Sequence, residues 1–272
     1  MYEAVHARPD GDSTVARQAL TAAEYGFEGL VVRNHGDSPA TYDRERIADT
    51  YGIDVVDGVE IRTDDRSRAA GFVGSHRDDR TIVIVHGGDV DINRFAVEQP
   101  AVDVLAHPMA DDGDLDHVMA KAAADNGVRI EVSLRPVLRE DGGSRVRALA
   151  SLRKLRDLLD HYDAPFVVSA DPHSHLQLRA PRELRALGTV AGFSPEEIEA
   201  GLHEWGRLVE RNRARNSAAF VEPGVWHGRP DHLASTDRDD GGDGGRNDDG
   251  ADSRSNDRDD GGSNGRDDNR TR

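Results

Sequence analysis

The chain has 272 residues, no cysteine and a formal net charge of −17. The missing thiols exclude disulfides, thiolate metal centres and a cysteine nucleophile, and no apolar run is long enough to span a membrane. Of 35 basic residues only Lys121 and Lys154 are lysine, and excess Asp with little Lys is what a cytoplasm at molar salt favours, because hydrated carboxylates keep the surface soluble.

The chain opens directly into a strand-like MYEAVH, so no signal peptide and a cytoplasmic location are expected. Apolar runs then alternate with amphipathic helical stretches. The strands are expected at Tyr2–His6, Gly29–Arg33, Val55–Ile61, Thr81–His86, Val102–Ala106, Val128–Leu134 and Pro165–Ala170. The first helix is predicted from about Ser13 to Tyr25, capped by Asp12 or Ser13 and closed by Gly26. Further helices follow near Tyr42–Thr50, Ile92–Glu98, Leu115–Asn126, Ser144–Tyr162, Pro181–Val190 and Pro195–Asn212, while residues 62–80 are polar and carry no clear pattern. The segment 235–272 holds 12 Asp and 7 Arg among Gly, Asn and Ser, and it has too little apolar surface to offset its ordering entropy. The expected organisation is one α/β domain over 1–234 and a disordered, salt-adapted tail over 235–272.

Seven near-continuous apolar strands separated by helices imply a parallel sheet covered by helices. A doubly wound sheet and a TIM-like barrel both qualify. Polar residues stand just beyond nearly every strand, which favours the barrel, because barrels build their sites at the strand C-termini. Those residues are His6 and Arg8, then Arg33, Asn34 and His35, then Glu60 and Arg62, then His86, His107, Arg135, and finally Asp171 and His173. The His, Glu and Asp look like a metal centre. The interleaved arginines do not, since a guanidinium cannot ligate a cation.

The order of these motifs resembles the PHP (polymerase and histidinol phosphatase) superfamily. That family closes its strands with His-x-His, Thr-Asp-His, Gly-x-Glu, Ala-His-Pro and Ser-Asp-x-His. This chain keeps His6 but has Arg8 for the second His, and has Asn34-His35 for Asp-His. It retains Gly58-Val59-Glu60, Ala106-His107-Pro108, and Asp171 and His173 in SADPH. The resemblance implies a degenerate PHP site of His6, Asn34, His35, Glu60, His107, Asp171 and His173 that holds no catalytic metal. A mouth with a guanidinium in the place of an imidazole is expected to hold anions.

A narrower resemblance covers about Tyr2 to Arg215. The stretches VHARPDGDSTVARQALTAAEYGFEGLVVRNH, IEVSLRPVLREDGGSRVR, LRAPRELRALGTVAGFSPEEI and LVERNRAR are similar to the ribonuclease P protein component 3 family of archaea and eukaryotes, a PHP-like barrel. This implies a non-catalytic subunit that supports RNA-catalysed removal of 5′ leaders from precursor tRNA. It implies ribonuclease P RNA and protein component 2 as partners, and components 1 and 4 through the complex. The Mg²⁺ belongs to the RNA, and this chain needs no cofactor. The alternative is a metal-dependent phosphoesterase of the PHP type. In keeping with a supporting role, no Gly-rich phosphate loop and no G-x-S-x-G occur.

An RNA partner is compatible with the acidic composition. At ~1 M salt the Debye length is only ~3 Å, so long-range repulsion is screened and contacts must be short and geometric. Arg suits that better than Lys. Arg8, Arg33, Arg62 and Arg135 at the strand ends are candidates, the alternative being internal pairing with Glu60 or Asp171. Arg207, Arg211 and Arg215 share one face of the last helix, the alternative being pairs with Glu204 or Glu210. Arg179 and Arg182, with Arg185, surround a first-turn proline, Pro181. Phe193, Trp205, Phe220 and Trp226 stand out where aromatics are scarce. Helix packing explains Phe193 and Trp205, and Trp226 is a candidate partner anchor.

Overall fold

Each apolar run becomes a strand in the computed structural model, which describes residues 1–216 and the backbone of two short paired strands beyond them. The expected tail and the side chains of Phe220 and Trp226 lie outside the described residues. The strands are β1 (Tyr2–Val5), β2 (Gly29–Val32), β3 (Asp54–Ile61), β4 (Ile82–His86), β5 (Val104–Ala106), β6 (Arg129–Ser133) and β7 (Phe166–Ser169). All six successive pairings are parallel and the spatial order is the sequence order. A doubly wound sheet would reverse order at a switch point. The sequential order is that of a barrel, here nearly closed.

Helices α1 (Val15–Glu24), α2 (Arg44–Tyr51), α3 (Arg66–Arg77), α4 (Val90–Val97), α5 (His117–Asn126), α6 (Arg135–Arg139), α7 (Gly142–Tyr162), α8 (Pro181–Ala191) and α9 (Pro195–Arg215) alternate with the strands or follow them. The cap of α1 is Thr14, which accepts from the Arg17 amide, and not Asp12 or Ser13. Ser13 instead bonds across to Ser174 and His175. The stretch 62–80 contains α3, capped by Asp65. Its amphipathic signal is faint because only Ala69 and Val73 face the core.

Strand alternation sorts the core into two layers. Val5, Leu30, Val55, Val83, Val85, Leu105, Ile130, Val132 and Val168 face the helices. Ala4, Val31, Val56, Ile82, Ile84, Val104, Ala106 and Val167 point inward, where they meet Trp205, Leu208 and Val209 of α9. The last helix therefore lies at the seam between β7 and β1, with Ile198 and Leu202 in the outer layer and Trp205, Leu208 and Val209 against the inner one. Close approach is possible because Gly201 lies against Val168 and Phe166, where a Cβ would stand 2.5 Å from the valine. Trp205 is fully buried and its indole N–H donates to the Val168 carbonyl at 2.9 Å. Helix packing is thus the role of Trp205, and Phe193 packs in the helix-facing layer.

Among the described residues no strand ladder joins β7 to β1. The His6 amide donates to the Pro172 carbonyl at 3.1 Å. The buried Glu3 carboxyl accepts from Ser169 Oγ at 2.6 Å and from the Ala170 amide at 3.2 Å. Burial pushes the Glu3 carboxyl up to about 8 in spite of these bonds.

Candidate functional site

The C-terminal ends of the strands converge on one ionic network. Its centre is Glu60, at the end of β3 and completely buried. Glu60 Oε2 accepts from Arg33 at 2.7 Å and has His6 Nε2 at 3.5 Å. Glu60 Oε1 bonds His86 Nδ1, with His35 Nε2 at 3.7 Å and His107 Nε2 at 3.8 Å. Across the barrel the same Arg33 guanidinium pairs with Glu131 of β6, which also accepts from the His107 amide at 3.3 Å. Asp171 has His6 at 3.3 Å, His107 at 3.7 Å and His173 at 3.8 Å. Asp10 joins His6 Nδ1 at 2.7 Å to His35 Nδ1 at 2.9 Å. His107 and Asp171 hold left-handed backbone, at φ +49° and +45°. Asp and His enter this region more readily than most side chains, and Asp111 and Asp163 do so elsewhere in the chain.

The electrostatics follow from this packing. Burial favours a neutral His6, but its contacts with Asp10, Asp171 and Glu60 outweigh burial and lift its pKa to about 11. Burial likewise opposes the charge on Glu60, yet the Arg33 guanidinium holds its carboxyl well below the usual carboxylate range. Asp10 is held low by His6 and His35 against the effect of burial. Burial and the neighbouring His6 charge bring His173 down to about 4, so it stays neutral.

Two expectations are corrected here. Arg33 is 0% exposed, so it has no surface to offer RNA. The mouth does not hold anions either. It gathers Asp10, Glu60, Glu131 and Asp171, and the group that Arg33 holds is internal. Arg8, whose substitution suggested an anion site, points outward and donates to the Asp12 carbonyl at 2.9 Å.

PHP enzymes imply a metal cluster at this mouth. Three donor sets stand close enough to hold an ion, His6–Asp10–His35, His6–Asp171–His173 and His35–Glu60–His86. A multinuclear centre nevertheless does not fit. Arg33 spans Glu60 and Glu131, and Arg135 stands 3.8 Å from Asp171. Asn34 is occupied as a backbone clamp, accepting from the Ala7 amide at 2.8 Å and donating to the carbonyls of Ala7 and Ser38. The fixed charges of Arg33 and Arg135 oppose a cluster of cations here, and a neutral amide stands where a charged ligand is needed.

The remaining arginines divide by pairing. Arg135 donates to the Asp171 carbonyl and Gln177, and Arg179 donates to the carbonyls of Leu176 and Leu178. Arg207 pairs with Glu204 and Arg185 with Glu199. Arg211 is drawn to the opposite end of the barrel, onto Asp103 at 2.6 Å. Arg33, Arg135 and Arg207 thus stand with the internal partners named as their alternative, and Arg211 with Asp103, which was not among them. Arg62, Arg182 and Arg215 are exposed, and among the described residues their side chains make no ion pair or hydrogen bond.

Sequence reasoning passed over Asp10, Glu131 and Asp103. The signal for Glu131 was present: a carboxylate amid the apolar run of RIEVSL has to find a partner when buried. Asp10 sits in a Pro-Asp-Gly turn that reads equally well as ordinary loop chemistry.

Residues 1–217 match the family described as RNase P subunit p30. The chain is 64% identical over 225 residues to ribonuclease P protein component 3 of Haloarcula marismortui, covering 83% of this chain and 96% of that protein. It is 59% identical over 239 residues to component 3 of Natronomonas pharaonis, 88% of this chain and 100% of that one. Component 3 of Methanosarcina acetivorans is 38% identical over 224 residues, 81% of this chain and 92% of that one. Among solved structures, a chain of the cryo-EM structure of archaeal ribonuclease P with mature tRNA shares the fold. The TM-score is 0.72 at 24% identity, covering 85% of this chain and 99% of that chain.

Proposed function

Because the chain belongs to the RNase P subunit p30 family, we propose that it supports RNA-catalysed cleavage of precursor tRNA without contributing a catalytic group. It is a protein subunit of ribonuclease P, the endoribonuclease of tRNA 5′ processing. Its lysine-poor, acidic composition accords with relatives from halophilic archaea. No helix among the described residues is long and apolar enough to cross a membrane. We place its work in the cytoplasm, on ribonuclease P RNA and precursor tRNA. Its direct protein partner in this reading is component 2, with components 1 and 4 reached through the complex. The Mg²⁺ of the reaction belongs to the RNA.

The observation that carries the non-catalytic reading is the enclosed Arg33 guanidinium. A PHP-type hydrolase activates water on metals held by mouth carboxylates. Here the motif carboxylate Glu60 is already bound to a fixed cation, which also holds Glu131. The phosphoesterase reading therefore has the weaker support.

The exposed arginines are the proposed RNA contacts, with Arg62 the most specific. It lines a cavity of about 260 Å³ with His76 and Phe72, whose ring is 47% exposed. A free guanidinium beside an exposed ring suits a single-stranded nucleotide, the base stacked and the phosphate clamped. Arg182 and Arg215 offer phosphate contacts elsewhere. Cleavage of a precursor tRNA by the RNA with its protein partners, at high salt, with and without this chain, tests the reading. Cleavage should depend on the chain, and the chain alone should cleave nothing.

A further inference from the structure

Two carboxylates enclosed on opposite walls of a barrel are tolerable only with a cation between them. Glu60 and Glu131 are such a pair, both with side chains at 0% exposure. Four imidazoles surround Glu60, those of His6, His35, His86 and His107, at up to 3.8 Å. At the Oε1 edge of Glu60, the carboxylate and the imidazoles of His35 and His86 are the kind of donors that a borderline divalent ion takes. The point between Glu60 Oε2 and Glu131 is taken by the Arg33 guanidinium, 2.7 Å from Glu60 and paired with Glu131. Arg33 reaches it because β2 continues one residue past Val32, with the Arg33 amide bonded to Val5, and alternation from the inward Val31 turns its side chain into the barrel.

We propose that Arg33 is a built-in substitute for a divalent cation. The covalently tethered guanidinium supplies the positive charge that the two enclosed carboxylates would otherwise draw from an ion. The fold is then independent of metal. Removing the guanidinium leaves a cage lacking one cation, with His35, Glu60 and His86 close enough to hold a single Mn²⁺ or Zn²⁺. This inference concerns the chain alone, so its failure would not bear on the role in ribonuclease P.

The test compares the full-length wild type with Arg33→Met, whose side chain is similar in reach but uncharged. Both are melted in molar KCl with EDTA, with Mn²⁺ and with Zn²⁺, and their metal content is measured after gel filtration. The wild type should melt at one temperature in all three conditions and carry no stoichiometric ion. Arg33→Met should melt lower in EDTA, bind one ion per chain, and regain roughly 5–10 °C with saturating metal. Adding His35→Ala to Arg33→Met should abolish that recovery. Should Arg33→Met fail to fold in EDTA, refolding with and without Zn²⁺ gives the same reading. Arg33→Met/Glu131→Gln, which removes the carboxylate left without a partner, should also bind one ion. A wild type carrying one ion per chain would overturn the proposal. So would the two Arg33 variants if they took up no ion, or if both stayed unfolded in its presence.

Discussion

Both ends of the barrel bury carboxylates, and they are balanced in different ways. At the base, Asp103 precedes β5 and is almost wholly enclosed. It accepts from Arg77 at 2.7 Å, Arg211 at 2.6 Å, Asn212 at 2.9 Å and the Val83 amide at 2.8 Å. Arg77 extends the clamp to the carbonyls of Ala101, Arg80 and Thr81. Every bond there joins an element to α9 or to its neighbour, which is what a structural fastening does. At the mouth, four carboxylates share one enclosed guanidinium and a ring of imidazoles. Several contacts there fall short of hydrogen bonds, and His35 Nε2 is buried without a hydrogen-bond partner among the described residues. The base has the form of a clamp. The mouth has the form of a ligand cage settled around an internal cation.

The largest expected effect separates the two ends directly. Asp103→Ala leaves Arg77, Arg211 and Asn212 without their shared acceptor, and a loss of about 3–5 kcal/mol is expected in denaturant unfolding. Divalent ions should restore none of it, in contrast to Arg33→Met.

A second prediction uses pH. Glu3 in the seam has its folded pKa raised to about 8, so its stabilising effect is complete below the unfolded value and is lost as pH rises through 8. Stability should fall by up to about 1.4 kcal/mol per pH unit over that window, and Glu3→Gln should flatten the fall. His173 at the mouth has the opposite sign. Its folded pKa is lowered to about 4, so its effect is present above about 6.5 and is lost as pH drops toward 4. His173→Gln should soften the acid limb of the melting curve and leave the alkaline limb unchanged.

Smaller effects concern the rim. Phe72→Ala or Arg62→Ala should weaken RNA binding by the reconstituted complex roughly tenfold, while stability stays within about 0.5 kcal/mol. Arg207→Ala removes an exposed i,i+3 pair with Glu204, and a change of no more than about 0.5 kcal/mol is expected.

Much of this was legible before any coordinates. Apolar runs alternating with amphipathic stretches located all seven strands, and the polar residues beyond them located the mouth. The helix Arg66–Arg77 was not legible, because two buried side chains leave too faint a period. The network's sign was misread for a more general reason. Counting arginines at strand ends says nothing of which acids face them. Arg33 and Glu131 are 98 residues apart and meet only because β2 and β6 close across the barrel. Arg211 shows the same limit, since its partner Asp103 lies 108 residues away. The strand-end histidines do come together at the mouth, yet their surroundings depend on Asp10 and Glu131, which have no distinctive spacing.

The most direct test of a mouth without a catalytic role is precursor-tRNA cleavage by the complete reconstituted enzyme carrying His107→Ala/His173→Ala, with assembly confirmed on the same sample. The expected result is a cleavage rate within about twofold of the wild type. An assembled complex slowed by roughly a thousandfold, the scale on which loss of a catalytic group acts, would contradict it.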